Sequence, residues 1–165
     1  MTIEAARGDI TVESVDAIVN AASGGLLRGG GVCGAIFAAA GPELDRACAV
    51  IGSCETGAAV VTPGFRLRAR WIVHTVGPVW HGGDGGEPAL LTSCYRRSIE
   101  VARDAGAASI AFPAVSTGIF GYPARAAAEI AVATVRAYES ELDLIRLVGF
   151  DEATFITYRD LLAGA

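Results

Sequence analysis

The chain contains no lysine: all thirteen of its cationic side chains are arginines. The phosphate loop of the nucleoside triphosphatases, G-x-x-x-x-G-K-[ST], needs a lysine to reach the phosphates, so that motif is excluded. The net charge is −5, and the arginines form no cluster or stripe. Tight, non-specific binding to nucleic acid is therefore not expected. The four cysteines, Cys33, Cys48, Cys54 and Cys94, form no C-x-x-C pair, and His74 and His81 are not at zinc spacing from them. No metal and no cofactor follow from such a set. No apolar run approaches the roughly 18 residues of a membrane span. The opening Met1-Thr2-Ile3-Glu4 lacks the basic-then-apolar pattern of a secretory signal. A cytoplasmic location, away from membranes, is the expectation. Internal repeats, linkers and low-complexity tails are also missing, which predicts a single domain over residues 1–165 and a monomer.

Hydrophobic residues make up 52% of the chain and charged residues 19%, a globular balance. The most distinctive stretch runs from Val19 to Ile36. An apolar run, Ala17 to Val19, leads into a glycine-rich segment, and an alanine-rich run, Val32 to Ala40, leads out. A strand that ends in such a loop and opens a helix puts bare N–H groups at the positive end of the helix dipole, a ready anion site. Gly29-x-Gly31-x-x-Gly34 matches the dinucleotide pattern G-x-G-x-x-G, but eight residues separate it from Asn20, whereas that pattern follows its strand directly.

Strands and helices alternate along the rest. Strands are predicted over residues 3–6, 17–20, 58–62, 71–76, 109–113 and 144–150. Helices are predicted over 32–40, 42–50, 88–105, 124–138 and 151–162, with Asp151 as an N-cap. Loops follow at 80–86 and 116–123, the second again bearing glycine. This alternation predicts a three-layer α/β/α sandwich on a mixed, mostly parallel central sheet. In such sheets ligands gather at the carboxyl ends of the strands, so the loops 24–34 and 116–122 are placed across one ligand.

Several motifs in order make the chain resemble the macrodomain family. They are Gly8-Asp9-Ile10-Thr11, Asp16-Ala17-Ile18-Val19-Asn20-Ala21-Ala22, Gly29-Gly30-Gly31-Val32 with Gly34-Ala35-Ile36, and Ala39-Ala40-Gly41-Pro42-Glu43-Leu44. Thr56-Gly57, His74-Thr75-Val76-Gly77-Pro78-Val79-Trp80 with Gly82-Gly83, Phe112 to Pro123, and Phe150-Asp151-Glu152 continue the series. The resemblance covers essentially the whole chain and is nearest to the MacroD-type branch of ADP-ribosyl hydrolases. It implies that ADP-ribose and ADP-ribosylated macromolecules are the partners. It assigns the adenine amino group to Asp9 and the adenine ring to Ile10 and Phe150. It gives the pyrophosphate to backbone N–H groups of Gly29, Gly30, Gly31, Val32, Gly34, Ser116, Thr117, Gly118 and Ile119. Phe120 is then set against the distal ribose and Asp151 near the proximal one, and Asn20 joins the ligand-binding set. Small residues suit these loops because the backbone itself must approach the ligand.

The chain departs from that family at one end of the site. MacroD-type hydrolases usually end the N-A-A-N motif with Asn and carry Asp ten residues later; those positions hold Ser23 and Cys33 here. The first glycine of the loop is Arg28, and the histidine after Ala-Ile is Phe37. Three candidates for a rearranged catalytic site follow. Serine is a poor base. A thiol at a helix N-terminus ionises more readily, an effect that an adjacent pyrophosphate opposes, and this makes Cys33 a candidate base or nucleophile. Arg28 is a candidate to add positive charge near the leaving group. Two functions are carried forward: a hydrolase removing mono-ADP-ribose from macromolecules, through acidic protein residues or DNA, and a reader that binds ADP-ribose without turnover.

Overall fold

The computed structural model describes residues 2–164. Six strands, β1 Thr2–Arg7, β2 Ala17–Ala21, β3 Ala59–Pro63, β4 Trp71–Thr75, β5 Ser109–Phe112 and β6 Leu144–Gly149, form one sheet in the order β1-β6-β5-β2-β4-β3. Every neighbouring pair is parallel except β3 with β4. Among the described residues there are five α-helices, α1 Gly31–Ala40, α2 Pro42–Ile51, α3 Glu87–Asp104, α4 Ala124–Ala137 and α5 Glu152–Ala163, and two short 3-10 turns, Ile10–Val12 and Glu139–Glu141. No boundary of these strands and helices differs from the sequence expectation by more than one residue.

The central strands are apolar on both faces because both faces are covered. Alternation along β2 sends Ala17 and Val19 to one side, where they meet Leu91, Tyr95 and Ile99 of α3 within a core that also takes in α4 and Tyr158 of α5. Ile18 goes to the other side with Ile36 and Phe37 of α1 and Leu44 of α2. Phe112 of β5 packs its ring 4.9 Å from that of Tyr95. The result is the expected α/β/α sandwich. Five parallel strands place their carboxyl ends, Arg7, Ala21, Thr75, Phe112 and Gly149, on one edge of the sheet.

Two buried titratable groups stiffen this frame. His74, in the middle of β4, is fully buried. Its Nδ1 lies 3.1 Å from Asn20 Nδ2 and its Nε2 lies 2.9 Å from Thr62 Oγ1. The amide can only donate to Nδ1, which places the ring proton on Nε2, toward the Thr62 oxygen. Burial lowers the imidazole pKa to about 4. Glu87 opens α3 and is 1% exposed. Its carboxylate accepts from the backbone N–H groups of His81 (2.9 Å), Gly83 (2.9 Å) and Gly85 (2.6 Å), which hold its pKa down to about 2. The loop it folds around itself carries Trp80, whose N–H donates to the Phe120 carbonyl at 2.9 Å and whose ring stands 4.7 Å from that of Tyr122.

These groups act over successive windows as pH falls. The unfolded chain takes up a proton on His74 near its ordinary 6.5 while the folded ring resists until about 4, so stability declines across that interval. Glu87 stabilises fully above its ordinary 4.5 and loses that contribution as pH falls toward about 2. Thermal melts at stepped pH should give a flatter upper limb for His74→Gln and a flatter lower limb for Glu87→Gln, with both variants melting below the parent at neutral pH.

Candidate functional site

A cleft of about 780 Å³ opens at the edge where the parallel strands end. Each of those strands contributes the segment that follows it. Asp9 and Ile10 come after β1, Ser23 to Cys33 after β2, Gly77 after β4, Ser116 to Phe120 after β5, and Phe150, Asp151 and Thr154 after β6.

At one end stand two carboxylates, each held by one oxygen. Asp9 Oδ1 accepts from the backbone N–H of Thr11 at 2.9 Å and from its hydroxyl at 2.6 Å, capping the short turn Ile10–Val12. Asp151 Oδ1 accepts from Thr154 N at 2.8 Å and caps α5. The Thr154 amide, with Arg7 nearby, keeps the Asp151 carboxyl below the usual carboxylate range. In both cases Oδ2 receives no donor among the described residues. Between them projects Phe150, 85% exposed at the mouth. A Cβ on Gly149 would come 2.6 Å from Phe155 N, so the end of β6 lies tight against α5 and sends the next side chain outward.

The middle of the cleft is backbone. Helix α1 begins at Gly31 with no side-chain cap. The first N–H in this turn to find an acceptor is that of Gly34, on Gly30 O at 3.2 Å. The amides from Gly29 to Cys33 are left unpaired among the described residues, at the positive end of the helix dipole. Opposite, the N–H groups of Thr117, Gly118, Ile119 and Phe120 donate to no described acceptor, because the turn closes through Gly121 N to Gly118 O and Tyr122 N to Ser116 O. Ser116 sits at φ +68 with its Oγ buried and unpartnered. A non-glycine residue held in that region inside a cleft is stored strain of the kind found at ligand sites.

The far end holds Ser23, Leu27, Cys33 and Phe120. Ser23 Oγ accepts from Leu27 N at 3.3 Å, and the Cys33 thiol lies 3.7 Å from the Leu27 carbonyl. Both side chains line the cleft while shaping its loop.

Three residues expected at the ligand stand outside the lining. Asn20 is fully buried behind it, its amide directed at His74 and at Cys33 Sγ, 3.7 Å away. Position 20 faces the α1 side of β2, so the side chain is walled off by the helix. Gly34 acts from beneath: a Cβ there would meet the Gly29 carbonyl oxygen at 2.4 Å. Arg28 turns away from the cleft to Asp45 of α2, at 2.9 Å, with its guanidinium 5.6 Å from the Phe37 ring. Conversely, Leu27, Gly77 and Thr154 line the cleft without having been expected there. Thr154 carried a readable signal, since it stands three residues beyond an N-cap. Gly77 followed the end of a parallel strand. Leu27 carried none.

The family model for the Macro domain matches residues 19–131. A macro domain-containing protein of Ralstonia nicotianae is 51% identical, covering 98% of this chain and 95% of its own. A Cronobacter sakazakii protein named O-acetyl-ADP-ribose deacetylase is 48% identical over 97% of this chain and 93% of its own. The solved Oceanobacillus iheyensis macrodomain with ADP is 43% identical, covers 94% of this chain and 87% of its own, and superposes with a TM-score of 0.90.

Gly34→Ala and Gly77→Ala test the close contacts that shape the loops. The second would place its Cβ 2.0 Å from Ser116 Oγ. Each is expected to cost about 1–3 kcal/mol of stability by overpacking, read by chemical denaturation, with amide exchange rising in loop 22–31 for the first and in 116–121 for the second.

Proposed function

The chain belongs to the Macro domain family, and from that premise we propose that it binds ADP-ribose in this cleft and hydrolyses esters that join ADP-ribose to an acyl group. The acyl carriers are acidic residues of modified macromolecules; ADP-ribosylated DNA, joined through a base or phosphate instead of an acyl group and releasing free ADP-ribose on hydrolysis, is the other macromolecular substrate to be tried. A small acyl ester is the further substrate suggested by the relatives named as deacetylases. The observation that carries the reading is the pairing of two runs of unpaired backbone N–H groups, 29–33 and 117–120, across a single cleft. That arrangement suits a pyrophosphate, which presents oxygens on both sides and needs no side-chain cation.

The rest of the ligand follows from this placement. Adenine lies on Phe150 and Ile10, and its N6 amino group donates to Asp9 Oδ2, the oxygen that Thr11 leaves free. Asp151 Oδ2 accepts from the proximal ribose. The distal ribose reaches Phe120, Ser23 and Cys33. Water adds across the ester there, giving a carboxylic acid and the free ribose hydroxyl. Neither Ser23 nor Cys33 is a carboxylate, so the reaction depends on holding the ribose in a reactive geometry and on a water bound by the ligand's own phosphate. The Cys33 thiol, in the first turn of α1, packs against the Leu27 carbonyl of the loop.

Calorimetric titration with ADP-ribose and release assays on protein and DNA substrates test these statements. Binding without release from any substrate would leave a reader and overturn the hydrolase. No binding would overturn both. Asp9→Ala is expected to weaken ADP-ribose binding by about 1–3 kcal/mol, the usual range for a lost charged hydrogen bond. Cys33→Ala is expected to keep the release rate within about tenfold, whereas loss of a general base costs on the order of 10²–10⁴-fold.

A further inference from the structure

Arg28 stands between two residues that line the cleft, Leu27 and Gly29, yet its own side chain points away. Its Nη2 lies 2.9 Å from Asp45 Oδ2 and its Nε 3.4 Å from Oδ1, a two-pronged contact with α2. The guanidinium also stands 5.6 Å from the ring of Phe37, which is buried in α1. One long side chain thus joins the loop to both helices of that layer.

The chain immediately after it is sparsely packed on its side-chain side. Gly29, Gly30 and Gly31 follow in succession, and a Cβ on Gly30 or Gly31 would meet nothing within 4 Å. Consecutive glycines lose more backbone entropy on ordering than any other sequence. They also supply the unpaired N–H groups assigned above to the pyrophosphate. A ligand that had to order this stretch by itself would bind less tightly by the cost of ordering it. Downstream the stretch is anchored in the first turn of α1, where Cys33 is buried. Upstream the last side chain before the glycines is Arg28.

We propose that Arg28 is a positioning residue: its ion pair with Asp45 holds the Gly29–Gly31 segment in its ligand-ready shape before ADP-ribose arrives. The residue acts through Asp45 and Phe37 and does not touch the ligand. The proposal rests on the cleft being an ADP-ribose site only for its effect on affinity. The effect on the free loop stands by itself. Both partners are close to half exposed (47% and 41% of the side chain), so solvent screens the pair and its influence is modest.

The test compares the parent, Arg28→Ala, Asp45→Ala, the double alanine variant, and the exchanged pair Arg28→Asp with Asp45→Arg. Hydrogen exchange of loop 22–31 is followed without ligand, and ADP-ribose affinity by calorimetry. Each single variant is expected to raise loop exchange and weaken binding roughly two- to fivefold. The double variant should be no worse than either single one, and the exchanged pair should recover part of the loss. In about 1 M salt, where screening acts within about 3 Å, the gap between parent and single variants should narrow. Unchanged loop exchange in both single variants would overturn the proposal. So would Asp45→Ala binding as tightly as the parent, or more tightly, while Arg28→Ala binds weakly, because Arg28 would then be acting on the ligand's charge. If the parent itself fails to bind ADP-ribose, the functional reading falls and the exchange data still decide the role of Arg28.

Discussion

A Cβ on Gly34 would stand 2.4 Å from the Gly29 carbonyl oxygen, and one on Gly77 would stand 2.0 Å from Ser116 Oγ. The cleft depends on these two steric contacts. The first lets the chain fold back onto α1 so that its amides stay unpaired and face the opening. The second lets β4 end close against the Ser116 turn, which holds Ser116 at φ +68 and presents the next four amides. A methyl group at Gly34 would press on backbone and one at Gly77 on the Ser116 and Val115 side chains, both beside the backbone that lines the middle of the cleft. The exposed residues around it, Ile119 and Phe150 among them, contribute surface more than shape.

Such a site decouples anion binding from net charge. The chain is acidic overall, and the arginine nearest the glycine loop is committed to Asp45. What remains for an anion is an array of N–H dipoles and one helix end, which act over the first turn and fade beyond it. The buried polar groups behind the cleft follow the same economy of charge. Asn20 reaches His74 and Cys33, and His74 reaches Thr62, all without an ion among them. Burial keeps the imidazole neutral, so the wall behind the glycine loop carries no charge across ordinary pH.

The sequence was informative where the physics is local. The apolar run Ala17–Val19, the helical spacing around Ala127 and Val135, the proline at the start of α2 and the N-cap at Asp151 each depend on neighbours within a few residues, and the structure has them as read. Pairings across the fold were not legible. Arg28 meets Asp45 seventeen positions on, and Asn20 meets His74 fifty-four positions on. Periodicity gives the face on which a side chain lies but not what comes to meet it. The resemblance put Asn20 in the ligand-binding set, and Arg28 was a candidate to add charge near the leaving group; in the structure the first lies behind α1 against His74 and the second pairs with Asp45 of α2. Gly34 was expected at the ligand for its small size, and in the structure that size also admits the Gly29 carbonyl. The alternation of strands and helices put the two glycine-bearing loops across one ligand; the resemblance to a family added which ligand to expect there.

The replacement of a carboxylate by Cys33 alters the balance between binding and turnover. A negative side chain in the first turn of α1 would compete with the ligand's phosphate for the same unpaired amides and for the same helix dipole. Cys33 brings no carboxylate to that turn. The loop assigned to the pyrophosphate under the proposed function thereby lacks an internal carboxylate, and its amides from Gly29 to Cys33 have no acceptor among the described residues. The same exchange removes the group best suited to take a proton from water. On the proposed function, a site altered in this way would keep the phosphate-binding amides and leave acceleration to geometry, so that the loop's order in the free protein would bear on both affinity and rate.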